Sequence, residues 1–368
     1  MARLFFSDFL TIDIGFRYIK IAQVRKGKND LLSVINFGIG DTPKNCIKNG
    51  AIKDKEKVTL EIKRMINEHK LAAKEAKIVI SGTNIITRII MIEKVTDGNI
   101  EKKILDEIRL YMPIDIDEHS VDFKILDNVR EDGKEKMKVF VTAVPKKIIS
   151  SYIDILNNLG LKPIAVDIPA NSVSKFFQRE IGILETENWY RKQEVSKHNT
   201  NTFAVIDMGS ETTIVNILKN KISEFNRVAL IGSSDIDLAI YNELDLQKHQ
   251  YETAERYKKM YGLVSRKNLN NELEWQCSNA AKTVINDIFK NIIACFDFYT
   301  TRCAGEKVSR IYLIGGGSQL LGLREYMESV LSIPTYPINL LSLSDIVFSQ
   351  DLNKEKVNYL INALGIAL

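Results

Sequence analysis

The chain has 368 residues, 45% of them apolar and 27% charged, with a net charge of +4; this is too long for one compact core and suits two or more lobes around a cleft. The near balance of charge argues against the clustered basic surface of a nucleic-acid binder, and basic runs such as KEKMK at 134–138 are interleaved with acids and read as solvated faces. No window reaches the 18 or so uncharged apolar residues of a spanning helix, and MARLFFSDFL at the start reads as neither signal peptide nor anchor.

Residues 9–14, 17–26 and 30–39 read as three strands in series, a β-meander. An insertion is expected over 41–135, with a helix at 55–70, strands within 76–94, a helix at 99–111 and a strand at 119–129. A strand at 137–144, a helix at 146–159, a strand at 162–168 and a helix at 170–182 are expected to close the first half. The polar stretch 189–202 reads as the loop joining the halves. A second meander then runs through 202–208, 211–219 and 222–230, followed by helical sequence at 233–270 and a long amphipathic helix at 272–302. A strand at 309–314 and helices near 320–331 and 354–366 complete the chain. The expected division is 1–40 plus 136–188 and 201–232 plus 303–368 as two core subdomains, with 41–135 and 233–302 as their additions. Such a duplication sets the two meanders opposite each other across a cleft, where a ligand should sit.

Cys46, Cys277, Cys295 and Cys303 form no CxxC pair, and His69, His119, His198 and His249 are scattered. Neither a zinc site nor a disulfide framework is supported, and a reducing compartment fits.

Each meander's first strand ends in Asp-x-Gly: LTIDIGFRYIKIA holds Asp13 and Gly15, and DMGSETT holds Asp207 and Gly209. One such triplet is expected by chance in a chain this long, but two at matching places are not. Backbone amides in such a turn can cradle phosphate oxygens while the Asp holds a hydrated magnesium ion; alternatively the Asp merely caps a hairpin turn. Small hydroxyl residues favour phosphate contact at the second turn. The bulky Phe16, Arg17 and Tyr18 leave the first open between a nucleotide site, a lapsed one and an ordinary hairpin. IGGGS at 314–318 lets backbone approach a ring or ribose closely. On the helical stretch YETAERYKKMYG, Glu255 and Lys258 share a face, as ribose ligands or as a solvated surface.

In this order the pieces resemble the actin-like nucleotide-binding superfamily, and within it the PilM family of type IV pilus assembly proteins. EIRLYMPIDIDEHSVDF at 107–123, NDIFKNIIACFDFY, SRIYLIGGGSQLLGLREYM and the final NALGIAL are similar to that family, across essentially the whole chain. The resemblance implies an α/β, duplicated, ribonuclease H-like two-lobed fold with an inserted α+β, SHS2-like subdomain in the first lobe. It implies ATP and magnesium as ligands. Asp13, Gly15 and Lys20 would form the first phosphate motif, and Asp207, Gly209, Thr212 and Thr213 the second. Glu255 and Lys258 would face the ribose, Gly315, Gly316, Gly317 and Ser318 the adenosine, and Asp13 and Asp207 would hold the metal through water. Hydrolysis would be slow or absent, and no residue stands out as a catalytic base. The implied partner is the N-terminal cytoplasmic peptide of the inner-membrane protein PilN, docked between the first core subdomain and the insertion. The resemblance also implies motor ATPases and the platform protein as further contacts. The implied location is cytoplasmic, at the inner face of the membrane through that partner. Two departures stand out: small residues are usual in the family at 16–18, and a Gly-Gly where this chain has Gly232-Ser233. The rival readings are a small-molecule kinase of the superfamily, an FtsA-like division protein, and a fold of this type that binds only protein.

Overall fold

The computed structural model describes residues 8–27, 31–94, 100–111, 115–131, 133–179, 201–247, 250–264, 271–302, 306–338, 346–349 and 358–368. The joining loop expected at 189–202 lies, up to residue 200, outside the described residues, as do His198, His249 and Cys303.

The first half runs β1 (Phe9–Ile14), β2 (Tyr18–Lys26), β3 (Leu32–Asp41), a small hairpin of β4 (Ile47–Lys48) and β5 (Ala51–Ile52), and α1 (Lys55–Glu68). Then follow β6 (Glu75–Val79), β7 (Ile86–Glu93), α2 (Ile100–Tyr111), β8 (His119–Glu131), β9 (Lys134–Pro145), α3 (Lys146–Asn158), β10 (Lys162–Asp167) and α4 (Pro169–Gln178). The second half runs β11 (Thr202–Met208), β12 (Thr213–Lys219), β13 (Ile222–Ala229), α5 (Ser233–Glu243), α6 (Tyr251–Tyr261) and α7 (Glu272–Arg302). It continues with β14 (Ile311–Ile314), α8 (Leu323–Leu331), β15 (Thr335–Pro337), β16 (Ile346–Phe348) and α9 (Ile361–Gly365).

The two main sheets share one plan. The first has the order β10-β6-β1-β2-β3-β16 and the second β13-β12-β11-β14-β15. Each holds an antiparallel meander whose first strand is flanked on its other side by two parallel strands. Alternation along the first strand of each meander decides what faces what. Leu10, Ile12 and Ile14 enter a core with Val58, Ile62 and Met65 of α1 and Ile155 and Leu156 of α3. Phe9, on the opposite face, meets Val173, Phe176 and Phe177 of α4. In β11, Ala204, Ile206 and Met208 pack on Ile285, Ile288 and Ile292 of α7, while Phe203 and Val205 join the α4 side. That third core also takes Leu360, Ile361 and Leu364, so α4 and α9 lie between the two sheets. Each aliphatic side chain so buried contributes about 1.5–3 kcal/mol. Asp13 and Asp207 have the parity of Phe9 and Phe203, so both turn toward the space between the lobes.

Helix ends follow local signals. Asp54 caps α1 by accepting a bond from the Lys57 amide at 3.0 Å, and its buried Val58, Ile62 and Met65 recur at helical spacing. The duplicated α/β architecture thus stands as the sequence implied; two placements differ from expectation, and one strand, β16, had no counterpart in the sequence reading. The strand at 75–79 belongs to the core sheet, parallel between β1 and β10, rather than to an insertion. The strand expected at 137–144 to close the core is instead β9, the centre of a separate three-stranded sheet β7-β9-β8 that packs Val139 and Val141 on Ile104 and Ile108 of α2. From the end of the chain, β16 crosses back to pair with β3 of the first sheet. In each case the strand itself is locally encoded, but its neighbour in the sheet is chosen by non-local packing.

Candidate functional site

A cleft of about 440 Å³ lies between the lobes, where the ends of β1 and β11 meet the loop after β14 and the inner face of α6. The two hairpin turns are built alike: the Gly15 amide donates to the Tyr18 carbonyl at 3.0 Å, and the Gly209 amide to the Thr212 carbonyl at 2.8 Å. The amides of Ser233 and Ser234 donate to the carbonyls of Gly209 and Ser210 at 3.0 and 2.9 Å, tying the second turn to the start of α5.

Of the residues singled out in the sequence, Asp13, Gly15, Lys20, Asp207, Gly209, Thr212, Glu255, Lys258, Gly315, Gly316 and Gly317 line the cleft. Thr213 does not; it is buried and its hydroxyl donates to the Ile231 carbonyl at 2.8 Å. The Ser318 hydroxyl donates to the Gly315 carbonyl at 2.6 Å, so it braces the glycine turn from within. Gly315 has φ +82°, and a Cβ there would stand 2.3 Å from Asp207 Oδ1 and 2.6 Å from the Met208 carbonyl. Only glycine lets the third loop rest on the second turn.

The cleft's charges are largely paired with one another. Lys20 Nζ lies 3.0 Å from Asp13 Oδ2. Lys258 Nζ lies 2.8 Å from Asp237 Oδ1 on α5 and 2.9 Å from the Ser233 carbonyl. Glu255 is held by Lys259 at 2.8 Å and, across the cleft, by Arg17 at 3.3 Å. Burial raises the Asp207 carboxyl above its usual range; a 2.9 Å hydrogen bond from Asn362 Nδ2 and the charge of Lys20 oppose that shift, and Asp13 adds to it. Burial also raises Asp237 against the pull of Lys258. At Glu255 burial works upward, but the Lys259 bond and the charge of Arg17 outweigh it and the carboxyl is lowered. Burial and nearby Asp235 raise Glu211, opposed by Lys48 of the first lobe. Among the described lining residues, Asp13, Asp207, Glu211, Asp237 and Glu255 outnumber Arg17, Lys20, Lys258 and Lys259. The lining therefore carries no excess of positively charged residues. Among the described residues no group of three or more His, Cys, Asp or Glu is placed to hold a metal by itself.

Several cleft residues escaped sequence reasoning. Asn362 of α9 and Tyr359 just before it reach the cleft from the far end of the chain, and no local pattern marks them. The β4–β5 hairpin also reaches it through Asn49 and Gly50. There a signal was present: Asn-Gly between short strands is the strongest hairpin sign, and both residues have positive φ, 48° and 74°. Tyr152 of α3 supports this hairpin by donating to the Gly50 carbonyl at 2.8 Å.

Two sheets of one plan, facing each other across a cleft floored by paired Asp-x-Gly turns, define an actin-like protein. A structure described as the PilM-PilN type IV pilus biogenesis complex matches with a TM-score of 0.78 and 21% identity, over 98% of this chain and 98% of that one. Ethanolamine utilization protein EutJ from Carboxydothermus hydrogenoformans follows at 0.55 and 12%, over 98% and 89%. MreB 5 of Spiroplasma citri bound to AMPPNP gives 0.54 and 12%, over 98% and 95%. These likenesses show the fold. The family model for type IV pilus assembly protein PilM matches residues 11–368. The chain belongs to the PilM family.

Proposed function

We propose that this chain is an ATP-binding scaffold of type IV pilus assembly that docks the N-terminal cytoplasmic peptide of PilN. The observation that carries the reading is the span of the family match, 11–368, which takes in both turns, α6 and the glycine loop without a break. PilM stands with PilN in the complex whose fold this chain shares over 98% of its length. MreB 5, of the same fold, is bound to AMPPNP in one structure and to ADP in another.

The cleft fits a nucleotide. At Gly15 an added Cβ would meet Lys20 Nζ at 2.8 Å and the Tyr18 carbonyl at 3.0 Å, and at Gly209 the Thr212 carbonyl at 3.0 Å, so both turns close too tightly on themselves for a side chain and keep bare backbone at the cleft. Gly15, Lys20, Gly209 and Thr212 would hold phosphate, Glu255 and Lys258 the ribose, and Gly315, Gly316 and Gly317 the adenosine. Asp13 and Asp207 would bind magnesium through its water shell, and the ion would supply the positive charge that the lining lacks. Thr213 and Ser318 act one step back, through the Ile231 and Gly315 carbonyls. The nucleotide would bridge the lobes and stiffen the cleft, with slow turnover or none. An extended peptide would dock beside the inserted β7-β9-β8 sheet, by edge or groove. No helix among the described residues is long and apolar enough to cross a membrane, so attachment to the inner face of the cell membrane would run through PilN, with motor ATPases and the platform protein as further contacts. The family assignment disfavours the kinase and division-protein readings. Calorimetric titration with AMPPNP tests the nucleotide half: binding that needs magnesium is expected, and no heat at millimolar nucleotide with magnesium would refute it.

A further inference from the structure

The first turn carries Phe16, Arg17 and Tyr18 where the second carries Ser210, Glu211 and Thr212, and the nucleotide reading gives those three bulky side chains no work. In the structure, Phe16 lies at the rim of the cleft, 36% exposed. Tyr18 stands edge-on to Tyr359 with ring centroids 5.6 Å apart. Arg17 spans the cleft: its Nη2 lies 3.3 Å from Glu255 Oε2 on α6, 238 residues away in sequence. The turn beneath it is anchored, since the Thr42 amide donates to the Arg17 carbonyl and the Gly15 amide to that of Tyr18, both at 3.0 Å. The guanidinium also lies 5.6 Å from the Tyr18 ring centroid, within reach of a cation–π contact. Both oxygens of Glu255 are thus engaged, Oε1 by Lys259 of its own helix and Oε2 by the opposite lobe. Each oxygen keeps a further lone pair, so a ribose hydroxyl that donates to this carboxylate must share it with both cations.

We propose that Arg17 is a positioning residue that clasps the two lobes through Glu255, and that a ligand bonding Glu255 competes with the clasp. The second half rests on the nucleotide reading, and the first does not. The pair is partly exposed, with side-chain exposures of 44% and 22%, so it shifts an opening equilibrium by about fivefold at most. A contact of that size holds a cleft without sealing it.

Hydrogen exchange read by mass spectrometry on the ligand-free full chain, at low salt, tests the clasp. R17A and E255A are each expected to raise exchange in both the 15–18 turn and the 251–261 helix by about two- to fivefold, and R17K to restore most of the protection. The R17A/E255A double variant should open by less than the product of the two single effects, because the Arg17–Glu255 contact is lost in all three while the Lys259 and Tyr18 contacts are each lost with one partner only. About 1 M salt should erase the difference between R17A and the parent. Exchange that rises only in the turn bearing the substitution, or a double variant whose effect is the product of the singles, would overturn the clasp. Circular dichroism melts show that each variant is folded before exchange is read. Titration with AMPPNP and magnesium tests the competition. R17A should bind tighter than the parent by up to about fivefold, and equal or weaker binding would overturn it, weaker binding marking Arg17 as a phosphate ligand. If the parent itself binds no AMPPNP, the nucleotide reading falls and the exchange cycle still decides the clasp.

Discussion

Replacing Gly315 by alanine probes the contact on which the cleft is assembled. Two costs add. Alanine at φ +82° is strained by about 1–2 kcal/mol. Its Cβ would also stand 2.3 Å from Asp207 Oδ1 and 2.6 Å from the backbone oxygen of Met208. The latter is backbone in a central strand and cannot swing aside, so the second turn and the β14 loop must part, an overpacking cost of about 1–3 kcal/mol. The expected loss is therefore about 2–5 kcal/mol. Gly160 supplies the control, since its φ is +71° and nothing lies within 4 Å of an added Cβ; G160A carries the strain alone, about 1–2 kcal/mol. Urea unfolding of both variants beside the parent, followed by far-ultraviolet circular dichroism, reads the difference. G315A should also lose nucleotide affinity, because Asp207 must move, whereas G160A should keep it. Equal destabilisation by the two alanines would refute the close approach of the glycine loop to Asp207.

Three further outcomes follow from the same geometry. Y152F removes the hydroxyl that donates to the buried-side carbonyl of Gly50 and should cost about 1–3 kcal/mol in urea unfolding, with a parent-like midpoint counting against a role for Tyr152 in holding the β4–β5 hairpin. I288A, in the fully buried face of α7, should cost about 2–5 kcal/mol, and a loss under ~1 kcal/mol would show that this helix is not the core of the second lobe. Glu255 gives a pH dependence of known sign: its folded carboxyl is held below the usual 4.5, so its contribution is present above about 4.5 and is lost as pH falls through the lower folded value. Melting temperatures of the parent and E255Q should accordingly differ near neutrality and converge in acid, and a gap that widens in acid would reverse the assignment.

Much of the fold is legible in the sequence because it is locally written. The meanders at 9–41 and 202–229 are short apolar runs broken by glycine and polar turns, and α7 carries its buried residues at helical spacing. The repeat of Ile-Asp-x-Gly at the end of β1 and β11 locates the cleft, because parity alone fixes which face each Asp takes. What stays hidden is non-local. Nothing in EAKIV at 75–79 says that it lies between β1 and β10, nor does the 134–145 stretch declare that it centres a separate sheet. Either apolar strand suits either place. The Arg17–Glu255 and Asn362–Asp207 contacts join residues 238 and 155 positions apart, and no spacing rule reaches that far. The bulk of Phe16, Arg17 and Tyr18 looked like an obstacle to phosphate; in the fold, Arg17 reaches sideways to the other lobe and Tyr18 leans on Tyr359.

The scaffold reading turns on partner recognition. The most direct measurement is calorimetric titration of the purified full chain with a synthetic peptide of the cytoplasmic N-terminus of PilN from the same genome, with and without AMPPNP and magnesium. Saturable one-to-one binding whose affinity changes with nucleotide is expected, with D207A abolishing the nucleotide effect while leaving peptide binding in place. No binding of the peptide at high micromolar concentration in either condition would contradict it.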